Sequence, residues 1–187
     1  TKYSLTTEQQ EYFKDSKVRD ENGNLKTMYH GTSNYGFTVF DYGSTKFGLF
    51  GPGFYFTDSQ DVAESYTQKG KGDNQGVYEV YLNIKNPLDM DAKADAKWES
   101  VKLDGERVSD YLDVSKENAT NEDYFKALKN YAQDMEMSRY EAHDFIAETI
   151  EDMGYDGIKH IGGGRFNKND DTRHEVYIAL DPSQIKN

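Results

Sequence analysis

The sequence contains no cysteine, so neither a disulfide framework nor a thiolate metal site is open to it. Burial and hydrogen bonding must hold the fold. Long apolar runs are also missing: nothing approaches the roughly 20 residues that a membrane-spanning helix needs, and no signal-like stretch opens the chain. The expectation is a soluble domain cut from a larger polypeptide, cytoplasmic by default. Positive charge is scarce, with 22 Lys and Arg against 34 Asp and Glu and a net charge of −12. A surface that tracks phosphates needs the opposite balance, which disfavours nucleic acid as the main partner. The four histidines show no pairing at metal-ligand spacing, and carboxylate runs such as Asp170-Asp171 read as solvated turns, so no metal is expected.

What the chain does have is tyrosine, 15 residues against one tryptophan, a composition suited to sheets and to amphipathic pocket walls. Its 187 residues fit one domain that buries roughly two-thirds of its unfolded surface. Thr6 with Gln9 predicts a capped helix running to about Ser16. Asn22-Gly23 between two short runs predicts a hairpin that carries His30 at the end of its second strand. Residues 31 to 53 hold six glycines and read as loop with at most one turn of helix. Phe54 to Thr57 reads as a short strand, after which Asp58 or Ser59 caps a helix with Val62, Ala63 and Tyr66 on one face. Alternation from Gly76 to Ile84 is the clearest strand signal, stopped by Asn86-Pro87. A polar, acidic stretch at about 91–137 contains one amphipathic helix, with Tyr124, Leu128 and Tyr131 in register, and reads as an insertion packed on one side. Ser138 and Glu141 start a further helix that Gly154 ends. Strands beginning at Tyr155 and spanning Glu175 to Leu180 complete an α+β domain, with two mostly antiparallel sheets packed together and helices at the edges.

The pieces that carry chemistry are few: Tyr29-His30-Gly31-Thr32-Ser33, then Gly51-Pro52-Gly53-Phe54-Tyr55-Phe56-Thr57, then Tyr66, which follows Tyr55 by 66 − 55 = 11 positions. Singly, each is an ordinary structural residue. In this order and spacing they resemble the NAD-binding core of the ADP-ribosyltransferases, in the branch that includes diphtheria toxin and the poly(ADP-ribose) polymerases. Similar domains are embedded in large polyvalent proteins of phages and mobile elements. The resemblance covers roughly residues 25 to 84 and 154 to 185. It implies the two-sheet α+β fold and a glycosyltransferase that cleaves the nicotinamide bond of NAD and passes ADP-ribose to a macromolecular acceptor, protein before nucleic acid.

By the same resemblance, His30 would hydrogen-bond the adenosine ribose, the Gly31 backbone would pair with the nicotinamide amide, and Thr32 would occupy the hydroxyl position that follows. Tyr55 and Tyr66 would sandwich the nicotinamide, whose positive ring gains roughly 0.5 to 2 kcal/mol per aromatic face. Stacking of this kind binds and orients without accelerating, because only interactions that strengthen in the transition state accelerate. The accelerating group must be anionic, to face an oxocarbenium-like transition state. Glu175 is the expected acid. Counted back from Asp181 and Gln184 without a gap, however, the family's glutamate falls on Val176, and a one-residue shift reverses the face of a strand. Either a β-bulge re-aims Glu175 into the cleft or the site lacks its carboxylate. In the first case His30, Tyr55 and Glu175 form the catalytic set. In the second the domain is a non-catalytic NAD-binding or interaction module, and within the enzyme reading an NAD glycohydrolase would look the same. Gly162-Gly163-Gly164 lacks the strand-turn-helix context of a dinucleotide fingerprint and reads as a mobile loop. Around it Lys159, His160, Arg165, Lys168 and Arg173 concentrate positive charge, either solvated or placed against a pyrophosphate or an acidic target.

Overall fold

The computed structural model describes residues 4–33, 35–36, 53–68, 72–163 and 173–186. Most of the loop expected between 31 and 53 lies outside them, as do Gly164, Arg165, Lys168 and the Asp170-Asp171 turn. The first helix, α1 (Thr7–Phe13), is capped as expected: the Gln9 N–H donates to the Thr6 hydroxyl at 3.1 Å and the Thr6 N–H to the Gln9 side chain at 2.9 Å. Gly23, at φ +81°, turns the chain back, and Asp20 accepts from the N–H groups of Asn22 and Asn24. The expected hairpin is only one bridge wide, Arg19 with Leu25, because the next strand, β1 (Met28–Thr32), pairs elsewhere. Its partners are β2 (Phe54–Thr57) on one side and β3 (Gly76–Leu82) on the other. Between β2 and β3 runs α2 (Gln60–Thr67), where the Val62 N–H donates to the Ser59 hydroxyl at 3.3 Å.

Asn86-Pro87 does follow the end of β3, but Pro87 itself opens another strand, β4 (Pro87–Asp89), at the edge of the sheet. An edge tolerates proline because no ladder donor is needed there. The ribbon β5 (Lys102–Leu103) and β6 (Glu106–Arg107) forms a second, two-stranded sheet, turned through Asp104 and Gly105, both at positive φ. Helices α3 (Asn121–Asp134) and α4 (Arg139–Asp152) follow, and Gly154 at φ +97° stops the second. The chain closes with β7 (Gly157–Gly162), β8 (His174–Ala179) and β9 (Ile185–Lys186).

The large sheet has the order β4-β7-β8-β2-β1-β3-β9, antiparallel except where β4 meets β7. The α+β expectation therefore holds. The sheet buries different residues on its two faces. On one, Met28, Phe54, Phe56, Tyr78, Val80, Tyr177 and Ala179 cluster. On the other, Val176, Ile178, Leu180 and Ile158 meet α3 and α4 through Leu128, Ile146 and Ile150. The segment at about 91–137 belongs to this second core: Trp98, Leu103, Val108 and Tyr124 join the same cluster. Trp98 also donates its indole N–H to the buried Asn121 at 3.0 Å, which ties the segment to α3.

The middle of the sheet is its weakest seam. β1 and β2 share a single registered pair, Tyr29 with Thr57, whereas β2 and β8 share four and β1 and β3 share five. Past that pair a side chain of β1 reaches across to β2.

Candidate active site

That side chain is His30. Its Nδ1 lies 2.8 Å from the Tyr55 carbonyl oxygen, and its ring sits 5.5 Å from that of Phe56. A carbonyl only accepts, so Nδ1 carries the proton and Nε2 is left as the acceptor nitrogen. Burial lowers the His30 pKa below the ordinary histidine value, with the Tyr55 hydrogen bond opposing it in part. The neutral imidazole is therefore favoured, and a neutral Nε2 suits a hydroxyl donor. His30 and Tyr55 are thus brought together at the split between the two halves, on facing strands.

Gly31 follows on β1 and points to the opposite face from His30. A Cβ built on it would lie 1.7 Å from the Ala63 carbonyl oxygen of α2. The missing side chain makes room for the helix, whose backbone lies close against β1 here. Ala63 is fully buried by this contact, and Tyr66, one turn on, rises at the rim with about half its surface exposed (51%). Gly31 lies two positions from Tyr29, and Tyr55 two from Thr57. Since Tyr29 pairs with Thr57, Gly31 and Tyr55 line the same side of the split from its two lips. Tyr55 is half-buried and packs against the α3–α4 core. Thr32 ends β1 opposite Gly76.

Glu175 is not brought to this side. β8 pairs without interruption from His174 to Ala179 along β7, so the bulge that would re-aim Glu175 is absent. Val176 pairs with Thr57 on one side and His160 on the other, which puts Val176, and not Glu175, on the face of Tyr55 and Gly31. Glu175 faces the other way with Tyr177. Its carboxylate is 2.6 Å from the Lys26 ammonium, which also lies 3.0 Å from Asp58, and 3.7 Å from that of Lys159. Two backbone bonds fix the group further: the Glu175 N–H donates to the Asp58 carboxylate at 2.9 Å and the Asp58 N–H to the Glu175 carbonyl at 3.1 Å. Burial works against the charge on Lys26, but the hydrogen bonds it donates to Glu175 and Asp58, together with their negative charges, outweigh it and raise its pKa.

The sequence gives no sign of this quartet, because Lys26 and Glu175 are far apart in the chain and Lys26 belongs to no motif. Asp58 could be found only as an alternative helix cap, a role Ser59 takes. The sequence reads His160 as part of the positive charge around the glycine loop. It is instead buried as the strand neighbour of Val176. Among the described residues no group of His, Asp and Glu is arranged to hold a metal ion.

Comparison with known proteins identifies the family. A family described as ADP-ribosyltransferase in polyvalent proteins matches residues 20–187, a span that includes the acidic segment. The chain belongs to that family. No curated protein and no solved structure matches it. Membership identifies a transferase domain of the ADP-ribosyltransferase fold, and among the described residues no helix is long and apolar enough to cross a membrane.

Proposed function

We propose that this domain binds NAD at the split between β1 and β2, cleaves its nicotinamide bond and passes ADP-ribose to a macromolecular acceptor, most simply a protein. The observation that carries the reading is the His30 bridge to the Tyr55 carbonyl. It spans the split, and in the tautomer it requires Nε2 has acceptor character, the chemistry that a ribose hydroxyl calls for. The Gly31 backbone and the rings of Tyr55 and Tyr66 would take the nicotinamide on the side of α2, with Thr32 beside His30. In the reaction the acceptor nucleophile attacks the anomeric carbon, and nicotinamide leaves with the bonding pair as a neutral molecule.

Val176 on the Tyr55 face bears on rate. With no carboxylate supplied by β8 there, catalysis rests on holding and orienting the reactants. Turnover would then be slow, and the network around Glu175 serves as a lock on the sheet and not as the acid. The same observation favours a second reading, a module that binds NAD without cleaving it. Incubation with NAD labelled in its ADP-ribose part separates the two. The transferase reading expects nicotinamide release and label on protein, whereas tight binding with neither supports the module. If calorimetry shows no binding at millimolar NAD, both are wrong.

A further inference from the structure

Just beyond β1 an aromatic ring is held in place at the surface. Tyr35 is exposed (44%), yet its backbone is fixed on both sides: its N–H donates to the Asn74 carbonyl at 2.7 Å and its carbonyl accepts from the Asn74 side-chain amide at 2.5 Å. The ring centroid lies 4.7 Å from that of Tyr78, at 31° between planes. Tyr78 is buried, and its hydroxyl accepts from the Gly36 N–H at 2.9 Å. Beneath the ring is Gly76, where a Cβ would come within 2.3 Å of the Tyr35 ring carbons Cγ and Cδ2. The glycine is what lets the ring lie down on the sheet. Tyr78 is in turn the strand partner of His30.

An exposed tyrosine that served only solubility would need none of these supports. One face of this ring rests on Tyr78 and Gly76, and the side chain keeps a large solvent-facing surface. A rigid, one-sided aromatic surface suits a flat π system that stacks on it at little ordering cost. We propose that Tyr35 is a stacking shelf for a planar nucleobase, the adenine of the dinucleotide. This rests on the NAD reading above, in which the ribose next to that base meets His30 on the adjoining strand.

The test uses ligands that split the dinucleotide. ADP-ribose carries the purine without nicotinamide, and nicotinamide mononucleotide carries nicotinamide without the purine. Tyr35→Leu keeps an apolar side chain but removes the π face, and should weaken ADP-ribose and NAD about tenfold or more while leaving nicotinamide mononucleotide unchanged. Gly76→Ala should do the same by displacing the ring from below. Tyr35→Trp gives a direct signal, since the chain's own tryptophan, Trp98, is buried. ADP-ribose should quench the emission of that variant, and nicotinamide mononucleotide should not. A Tyr35→Leu protein with an unchanged melting temperature and wild-type ADP-ribose affinity would overturn the shelf. Unquenched emission from a Tyr35→Trp protein that still binds NAD would overturn it too. Loss of the NAD reading looks different: the wild type would bind neither NAD nor ADP-ribose, and the shelf would fall with it.

Discussion

Two neighbouring residues of β8 meet opposite environments. Val176 lies on the side of Tyr55 and Gly31, next to Thr57 and His160, with no charge of its own. Glu175, one residue earlier, faces away into a network of two ammonium groups and two carboxylates that ties β8, β2 and the arm before β1 together. The first side is nearly closed at Val176, which meets the α3–α4 core, and opens only toward its rim, where Tyr66 is half-exposed. The second is saturated with partners and has the features of a fastening. Charge in a protein that resembles an enzyme invites assignment to catalysis, and here the acid of β8 is already paired with Lys26 and Lys159, as a fastening would be. What separates the roles is strand parity, since a shift of one residue exchanges the two faces.

The largest effect should come from Gly31→Ala. The added carbon would meet backbone, the Ala63 carbonyl, and backbone cannot rotate away as a side chain can. Either α2 lifts off β1 or β1 shifts against β3, and both loosen the open side of the comparison. A loss on the order of 4 kcal/mol or more is expected, read as a large fall in melting temperature and as lost NAD binding. A Gly31→Ala protein as stable as the wild type would mean that α2 is not seated on β1 as described.

Val176→Glu sharpens the comparison directly by giving the open side the charge it lacks. If that side receives NAD, nicotinamide release should rise about a hundredfold, the scale of one well-placed electrostatic contact. The charge replaces a nearly buried valine, so stability should drop by several kcal/mol. Activity and melting curves therefore move in opposite directions. A folded variant that binds NAD and releases nicotinamide no faster than the wild type would remove position 176 from the site.

Much of the architecture is legible in the sequence because local signals and burial agree there. The Thr6–Gln9 box, the alternation in β3, the Tyr124–Leu128–Tyr131 stripe and the Gly154 stop all appear where local chemistry puts them. The hairpin is less complete than Asn22-Gly23 suggests, because a turn fixes a reversal but not which strand the outgoing chain will join. β1 finds two better edges. The acidic segment reads as an appendage because its polar residues outnumber its apolar ones, yet those few, Trp98 and Leu103 among them, fall where the β7–β8 face needs covering. Of the site, the meeting of His30 with Tyr55 follows from motif order. The fate of Glu175 does not, since it depends on register across three strands and on a lysine far away in sequence.

Glu175→Gln should have a smaller effect than either change above, and this distinguishes a fastening from an acid. It removes the charge that meets Lys26 and Lys159 while keeping the backbone bonds to Asp58. The pairs are partly exposed, so the expected loss is about 1 to 2 kcal/mol, a shift of a few degrees in melting temperature. NAD affinity and nicotinamide release should stay within a few-fold of wild type. A hundredfold fall in turnover with NAD affinity intact would return Glu175 to the reaction.

The smallest expected effect is one of pH. Because the folded His30 has a lowered pKa, the folded state binds fewer protons than the unfolded one between the folded value and the ordinary one of about 6.5. Its contribution to stability is therefore complete above pH 6.5 and is lost as the pH falls through that value toward the folded pKa. The slope from this group cannot exceed about 1.4 kcal/mol per pH unit. His143 is shifted the same way, by burial and by Lys129 and Arg139, so His143→Gln removes that contribution from the background. In that background His30→Gln should flatten the decline in stability between pH 6.5 and 5.5. NAD affinity should weaken only below the ordinary histidine range, when Nε2 gains a proton and stops accepting. An affinity in the His143→Gln protein that stays constant down to pH 5, while the fold persists, would show that Nε2 receives no hydroxyl from the ligand.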